Sequence, residues 1–421
     1  MALPTAAGYM SNITDIAPDG AGGYVVTGGF TRTLTLGSTV LTSAGNQDIF
    51  VARFDAANQC TQAVRVGGTG YDRAAALALD ASGTVTIVGD FASPSIAFGS
   101  TTLTNAAAAG SPSSSDVLVA RLSAAGQWVQ AVRAGGPSYD QAEDVALDPN
   151  GSTVVVGSFV GGAASFGTIA LTSLASSGAG FVARLGSTGT WTQALTPTSN
   201  GSPHYLTGVA VDASGNALVC GYLYSTGTLT LGGSTVSNFT ASTIVYVARL
   251  SRAGAWTLTA QSLNSGGFAY SGPIAVDAAG NVAIGGTFFD NSIRFGAATL
   301  TYSGTFNSGT GQSSRNLFVA RLSNTGTWTY AAQATGTSDA DASALAFDLA
   351  GNVLVTGYFQ GASLTLGGTT FPNVTAAGAS PSADIFLARL NSAGAWTYGL
   401  QAGGPGAWSV APWPWTAAGR W

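Results

Sequence analysis

Residues 116–136 read DVLVARLSAAGQWVQAVRAGG: an alternating strand, a small-residue turn, a Trp-led second strand and a Gly-Gly stop. The same sentence recurs as FVARLGSTGTWTQAL from Phe181, YVARLSRAGAWTLTA from Tyr246, FVARLSNTGTWTYAA from Phe318 and FLARLNSAGAWTYGL from Phe386, and more loosely as FVARFDAANQCTQAV from Phe50. A hairpin written six times implies one supersecondary unit built six times.

A second hairpin opens each repeat. Its copies include ALALDASGTVTIVG, VAVDASGNALVCG and LAFDLAGNVLVTG. The turn Asp and the strand-end Gly are the pairs Asp19/Gly28, Asp80/Gly89, Asp148/Gly157, Asp212/Gly221, Asp277/Gly286 and Asp348/Gly357, nine residues apart in every case. Alternating Val, Ile and Leu with an Asp-x-x-Gly turn predict a tight β-hairpin. Between the two hairpins lies a Thr-rich stretch centred on Leu/Phe-Gly, as in SLTLGGTTF, which predicts a short ribbon folded at the glycine. All the length variation falls after it: strand-end Gly to VARL Arg runs from 25 residues (Gly28 to Arg53) to 35 (Gly286 to Arg321).

Four main strands per unit in six consecutive units predict an all-β chain, a β-propeller of six four-stranded blades, alone or within a seven-bladed or longer array. No segment carries a sustained helical stripe. The repeats occupy residues 1–404, and residues 405–421 leave the pattern as a Trp/Pro-rich tail. Read from the third codon base of Ala411, that tail can encode Leu/Val-Ala-Leu/Val-Asp, the opening of every other repeat, so we expect an out-of-frame start of a further repeat.

Composition narrows the function. The chain has 421 residues, 46% of them hydrophobic, and only 8% charged, against about a quarter in ordinary soluble domains. It contains no Lys, and a net charge of -5 offers no basic stripe, which argues against nucleic acid as a partner. No apolar run is long enough for a transmembrane helix. The start shows no signal-peptide pattern. Cys60 and Cys220 sit in the first and fourth repeats, too far apart to bridge in a closed ring.

Candidate chemistry is sparse. The turn Asp could ligate calcium, but one carboxylate per turn falls short of six to eight oxygens; capping its own backbone is the reading preferred. The VARL Arg could bind an anion, but a repeated structural latch is preferred. The repeated Trp could stack on sugars, but its fixed place favours packing between blades. Sequons at Asn12, Asn238 and Asn373 carry little weight. His204, the single histidine, reads as a surface-loop residue. Carboxylates concentrate at Asp140, Glu143 and Asp144, with Asp72, Asp339 and Asp341 in matching segments; a glycosidase would need such a pair at a set separation, and solvated loop charges are the plainer reading.

The run Asp-x-x-Gly-Asn-Val-x-Val-x-Gly, here DAAGNVAIGG, followed by FVARL and by GGTGYD, resembles the SBBP repeat of bacterial β-propellers over almost the whole chain. The resemblance implies a secreted or cell-surface location and says little about activity.

The expectation is therefore a non-catalytic, monomeric interaction module that binds a protein or polysaccharide through its variable-loop face and needs no cofactor, catalytic residue or metal. The alternatives are a glycan-active hydrolase or lyase on a propeller scaffold, and a purely structural spacer. Strand parity puts the Asp-x-x-Gly turns on one face, with the variable loops and Tyr71, Asp72, Tyr139, Asp140, Glu143, Asp144, His204, Tyr205, Asp339 and Asp341 on the other.

Overall fold

The structure is a computed structural model and describes residues 11–107, 114–240, 242–304, 306–307, 312–336, 339–374 and 383–403. The tail from residue 405, with its frame argument, lies outside the described residues, as does much of the variable loops. The described residues form strands throughout, and no helix among them is long and apolar enough to cross a membrane. Contacts divide it into Met1–Thr196 and Pro197–Trp421, at the link between the third and fourth repeats of the 1–404 array.

Each repeat forms an antiparallel meander. In the first unit these are Ser11–Pro18, Tyr24–Phe30, Asp48–Phe54 and Cys60–Val66; then Asp72–Leu79, Val85–Phe91, Asp116–Leu122 and Trp128–Ala134; then Asp140–Leu147, Thr153–Phe159, Ala179–Leu185 and Trp191–Leu195. We number these sheets one to three. In the second unit, sheet four has His204–Val211, Ala217–Tyr224, Thr243–Leu250 and Trp256–Gln261. Sheet five has Phe268–Val276, Val282–Phe289, Asn316–Leu322 and Trp328–Gln333. Sheet six has Asp339–Phe347, Val353–Gln360, Ala383–Leu390 and Trp396–Ala402. The short ribbon stands between second and third strands, as at Ser95–Phe98 with Thr101–Thr104.

The turn chemistry explains the fixed nine-residue interval. Asp80 Oδ1 accepts the N–H groups of Ser82 and Thr84, and Asp348 Oδ1 those of Ala350 and Asn352. Gly83 and Gly351 follow with φ of 79° and 76°, a left-handed conformation that costs any residue with a Cβ. The turn carboxylate thus caps its own backbone.

Within each unit, neighbouring sheets pack face on face. Val25, Ile49 and Val51 of sheet one share a core with Ala74, Leu77 and Ile87 of sheet two. Ala283, Leu317 and Val319 of sheet five do the same with Ala342, Val353 and Phe386 of sheet six. The Trp side chains pin these joints: the indole N–H of Trp191 donates to the Arg133 carbonyl of the preceding sheet, and Trp396 to Gln333. The VARL arginines are latches too. Arg184 pairs with Asp148 at 2.9 Å in its own sheet, while Arg249 donates to the Gly280 carbonyl of the next sheet.

Every first strand carries a β-bulge, at Ala74/Ala76, Ala142/Asp144 and equivalent places. A bulge frees backbone groups from the ladder, and the adjacent sheet's side chain takes them up. Asp15 accepts from Leu77 N–H, Arg73 donates to the Ala142 carbonyl, and Cys220 lies 3.2 Å from the Gly272 carbonyl. Both cysteines are free thiols.

Candidate functional site

The two tight turns close one end of each sheet, and the ribbon and long loop close the other. On each first strand one residue sits at that loop end, just before the bulge, paired with the residue that follows the strand-end Gly. Its identity changes from sheet to sheet while the residues around it repeat: Asn12, Arg73 and Gln141 in the first unit, Tyr205, Tyr270 and Asp341 in the second. Opposite them on the second strands stand Gly29, Asp90, Ser158, Tyr222, Thr287 and Tyr358.

In the first unit this layer is an ion cluster. Arg73 Nε donates to Asp90 Oδ1 at 2.8 Å, and Arg73 Nη2 reaches Glu143 Oε2 at 3.4 Å. Burial works against the guanidinium charge, and Asp90 and then Glu143 more than restore it, so its pKa is raised. Glu143, the sole Glu of the chain, owes its aim to the bulge: it is the extra residue between Ala142 and Asp144. Burial pushes its carboxyl up, with Arg73 opposing. Tyr139 and Tyr71 are exposed beside it, and Gln141 donates to the Tyr139 hydroxyl. Asp144 accepts the Val145 N–H and is half-buried.

Two residues expected on an open face are structural instead. Asp72 and Asp140 are fully buried. Asp72 accepts from Gly68 N–H and the Ser93 hydroxyl, tying the Gly-Gly stop to the strand that follows. Asp140 accepts from Gly136 N–H, and burial and then the neighbouring Asp116 push it up to about 7. The reading of these carboxylates as solvated loop charges is thereby corrected. His204 needs the same correction. It is fully buried, in the register position that Asp72 and Asp140 hold in their sheets, and burial lowers it to about 4. The Ser/Gly-rich stretch before it resembles a loop, yet the strand begins at His204 itself.

In the second unit the layer is aromatic. Tyr205 stacks on Tyr222 with centroids 5.0 Å apart, and Tyr222 meets Tyr270 edge-on at 5.0 Å. Tyr270 continues to Phe289 at 6.1 Å, Phe289 to Phe268 at 5.3 Å, and Phe268 to Tyr224 at 6.4 Å. Tyr224 is exposed, Tyr222 is buried, and Tyr205, Phe268, Tyr270 and Phe289 are half-buried. Burial lifts the Tyr270 phenol to about 12, with Tyr224 and Tyr205 adding and Arg315 opposing, so this guanidinium stands near the aromatic run.

Arg315 faces two carboxylates and a phenol. Its Nε lies 3.8 Å from Asp339 Oδ1, and its Nη1 lies 4.0 Å from Asp341 Oδ2, while its backbone N–H donates to Asp339 at 2.7 Å. The Tyr358 hydroxyl lies beside it. Burial pushes Asp341 up to about 6, against the pull of Arg315. Asp339 and Asp341, two residues apart on one strand, project to the same side. The sequence reading named Tyr205, Asp339 and Asp341 but missed Tyr222, Tyr224, Phe268, Tyr270, Phe289, Arg315 and Tyr358. The available signal was variation at one register position among otherwise repeated strands.

Comparison with family models gives no match, and comparison with curated protein sequences gives none either. Among solved structures, the chain is similar to an ulvan lyase described as a new family of polysaccharide lyase. In complex with -[GlcA(1-4)Rha3S]- that lyase aligns at 11% identity and a TM-score of 0.45, covering 89% of this chain and 88% of the lyase. A second structure of that lyase gives 12%, 0.46 and the same coverage. A putative gluconolactonase gives 13% and 0.32, covering 83% of this chain and 89% of the other. The expectation of a non-catalytic interaction module is corrected here: these neighbours are named as enzymes, and the alternative of a glycan-active hydrolase or lyase agrees with them better.

Proposed function

We propose that the chain is a glycan-active enzyme that cleaves a polysaccharide at the aromatic layer of its second unit. One observation carries the reading: six contiguous aromatic rings lead to Arg315 with Asp339, Asp341 and Tyr358 around it. Sugar rings offer apolar C–H faces to exposed aromatic side chains, while a guanidinium and carboxylates supply the polar contacts that fix orientation. Asp341, pushed up to about 6, can hold a proton in mildly acidic solution and give it to a leaving oxygen. Asp339 supplies the second carboxylate that hydrolysis requires. Arg315 between these carboxylates, with the Tyr270 phenol nearby, favours elimination when the substrate ring carries its own carboxylate. In that case Asp339 takes the proton from the carbon beside that carboxylate, the C–O bond breaks with Asp341 giving its proton to the departing oxygen, and the guanidinium neutralises the charge that develops on the carboxylate.

The same proposal takes the six sheets as propeller blades of the SBBP kind and places the protein outside the cell, where polysaccharides are met. The test is incubation of the purified protein with a panel of neutral and uronate-containing polysaccharides, reading reducing ends and unsaturated products separately. New reducing ends without unsaturation mark hydrolysis, and both together mark elimination. Absence of both across the panel contradicts the reading.

A further inference from the structure

Two register positions recur at the loop end of each joint inside a unit. One is on the third strand of a sheet and the other on the first strand of the next, each paired with the residue two after its strand-end Gly. Between sheets one and two they are Asp48 and Asp72, and between sheets two and three Asp116 and Asp140. In the second unit the same positions hold Ile244 with Ala269, and Asn316 with Ala340. The joint therefore forms without carboxylates, yet all four of these aspartates are buried, at most 1% exposed.

The two acidic joints differ in how their oxygens are satisfied. Ser43, just after the ribbon, donates its hydroxyl to Asp48 Oδ1, while Arg65 and the Ala44 N–H reach Asp48 Oδ2. Ser93 serves both oxygens of Asp72, through its N–H and its hydroxyl. In the next joint Asn105 and Gly161 stand at the places of Ser43 and Ser93. Asn105 donates its amide to the Phe91 carbonyl instead, and Gly161 has no hydroxyl to give. Asp116 Oδ2 accepts from the Ala106 N–H and Arg133, and Asp140 Oδ2 from the Gly136 N–H. Oδ1 of each has no partner among the described residues. The Val160 N–H lies near Asp140 but donates to the Tyr139 carbonyl at 3.1 Å.

A glycine separates these carboxylates. Gly135 has φ of 138°, and a Cβ on it would lie 2.6 Å from both Asp116 Oδ1 and Asp140 Oδ2, so no side chain fits between them. Two buried carboxylates against one guanidinium, Arg133, leave a negative charge unbalanced, and a buried unpaired charge is costly. We propose that Asp116 and Asp140 share a bound calcium ion that ties sheet two to sheet three. A donor set made only of oxygens suits a hard cation, and calcium accepts carbonyl and water oxygens in an irregular shell where magnesium demands a near-ideal octahedron. No three His, Cys, Asp or Glu gather for a metal among the described residues, so the rest of the shell is of that neutral kind. The ion is structural. It stands apart from the proposed activity and replaces the expectation that no metal is needed.

The test adds calcium to chelator-treated wild type, Asp140→Asn and Asn105→Ser at pH 8. There the proton that Asp140 holds up to about 7 no longer competes. Calorimetric titration follows binding, and thermal melts follow stability. Wild type should take up calcium at one site per chain and melt at a higher temperature with it, while magnesium should give a smaller shift. Asp140→Asn keeps the side-chain shape and should melt alike with and without calcium. Asn105→Ser returns a hydroxyl to Asp116 and should bind calcium about tenfold more weakly. A wild type that neither binds calcium nor gains stability overturns the proposal, since a proton shared by the two carboxylates would then suffice. Wild-type affinity in Asp140→Asn, or in Asn105→Ser, overturns it too, because the ion would sit elsewhere.

Discussion

Arg184 shows why the repeated guanidinium belongs to the fold. It is 4% exposed, and its Nη1 donates to a buried Asp148 that is already capping its turn. Removing one partner of a buried pair leaves the other unsatisfied, which costs about 1–3 kcal/mol. Arg184→Ala should lower the urea midpoint accordingly; an unchanged midpoint would return these arginines to the list of anion ligands. Asp140 behaves differently, since burial and then Asp116 raise it from 3.8 to about 7, while Arg133 at Asp116 opposes. Its proton is therefore held more tightly in the folded state. The stabilisation is fully present below about 4 and is lost as pH rises through about 7. Asp140→Asn, which cannot ionise, should match wild-type stability near pH 4 and exceed it near pH 8. Thermal melts of both proteins at the two pH values check this, and parallel losses would rule it out.

At the scale of the element, the turns and strands were open to reading because their chemistry is local. Asp80, two backbone N–H groups and a left-handed Gly83 make a turn from five consecutive residues, so the spacing alone exposes it. Gly351 isolates the backbone part of that cost: its φ is 76° and a Cβ there would touch nothing within 4 Å. Gly351→Ala should therefore destabilise by about 1–2 kcal/mol through conformation alone, measurable by urea denaturation. A neutral result would mean that the turn relaxes. The aromatic layer is not local. Tyr205 meets Tyr222 across one ladder and Tyr222 meets Tyr270 across a sheet-to-sheet joint, so no window of sequence contains the contact. Bulges hide in the same way: Glu143 reads as one more charged residue until the register shift beside it is seen. His204 and Asp72 misled for the opposite reason. Their Ser/Gly-rich flanks look like solvent loops, but those loops fold back and bury the side chains by hydrogen bonding.

On the scale of the whole molecule, the six-fold repetition explains both the stability of the scaffold and the poverty of functional signal. Each sheet buries nearly the same aliphatic positions, so most of the chain is committed to packing. Chemistry is confined to the few register positions at the loop end that packing leaves free. There the first unit has an ion cluster in which Asp90 and Glu143 engage Arg73 at 2.8 and 3.4 Å, while the second has a largely half-buried aromatic run and a guanidinium 3.8 and 4.0 Å from Asp339 and Asp341. That contrast is why the proposed activity is assigned to the second unit.

The most direct measurement is the rate of polysaccharide cleavage against pH for wild type and Asp341→Asn, with binding followed by tyrosine fluorescence. Asp341 acts as an acid only while protonated, so the wild-type rate should fall as pH rises through about 6. The Asn variant should still quench on binding the same chain but cleave it about 10²–10⁴-fold more slowly. Cleavage by Asp341→Asn at the wild-type rate, with the same pH profile, would contradict the account.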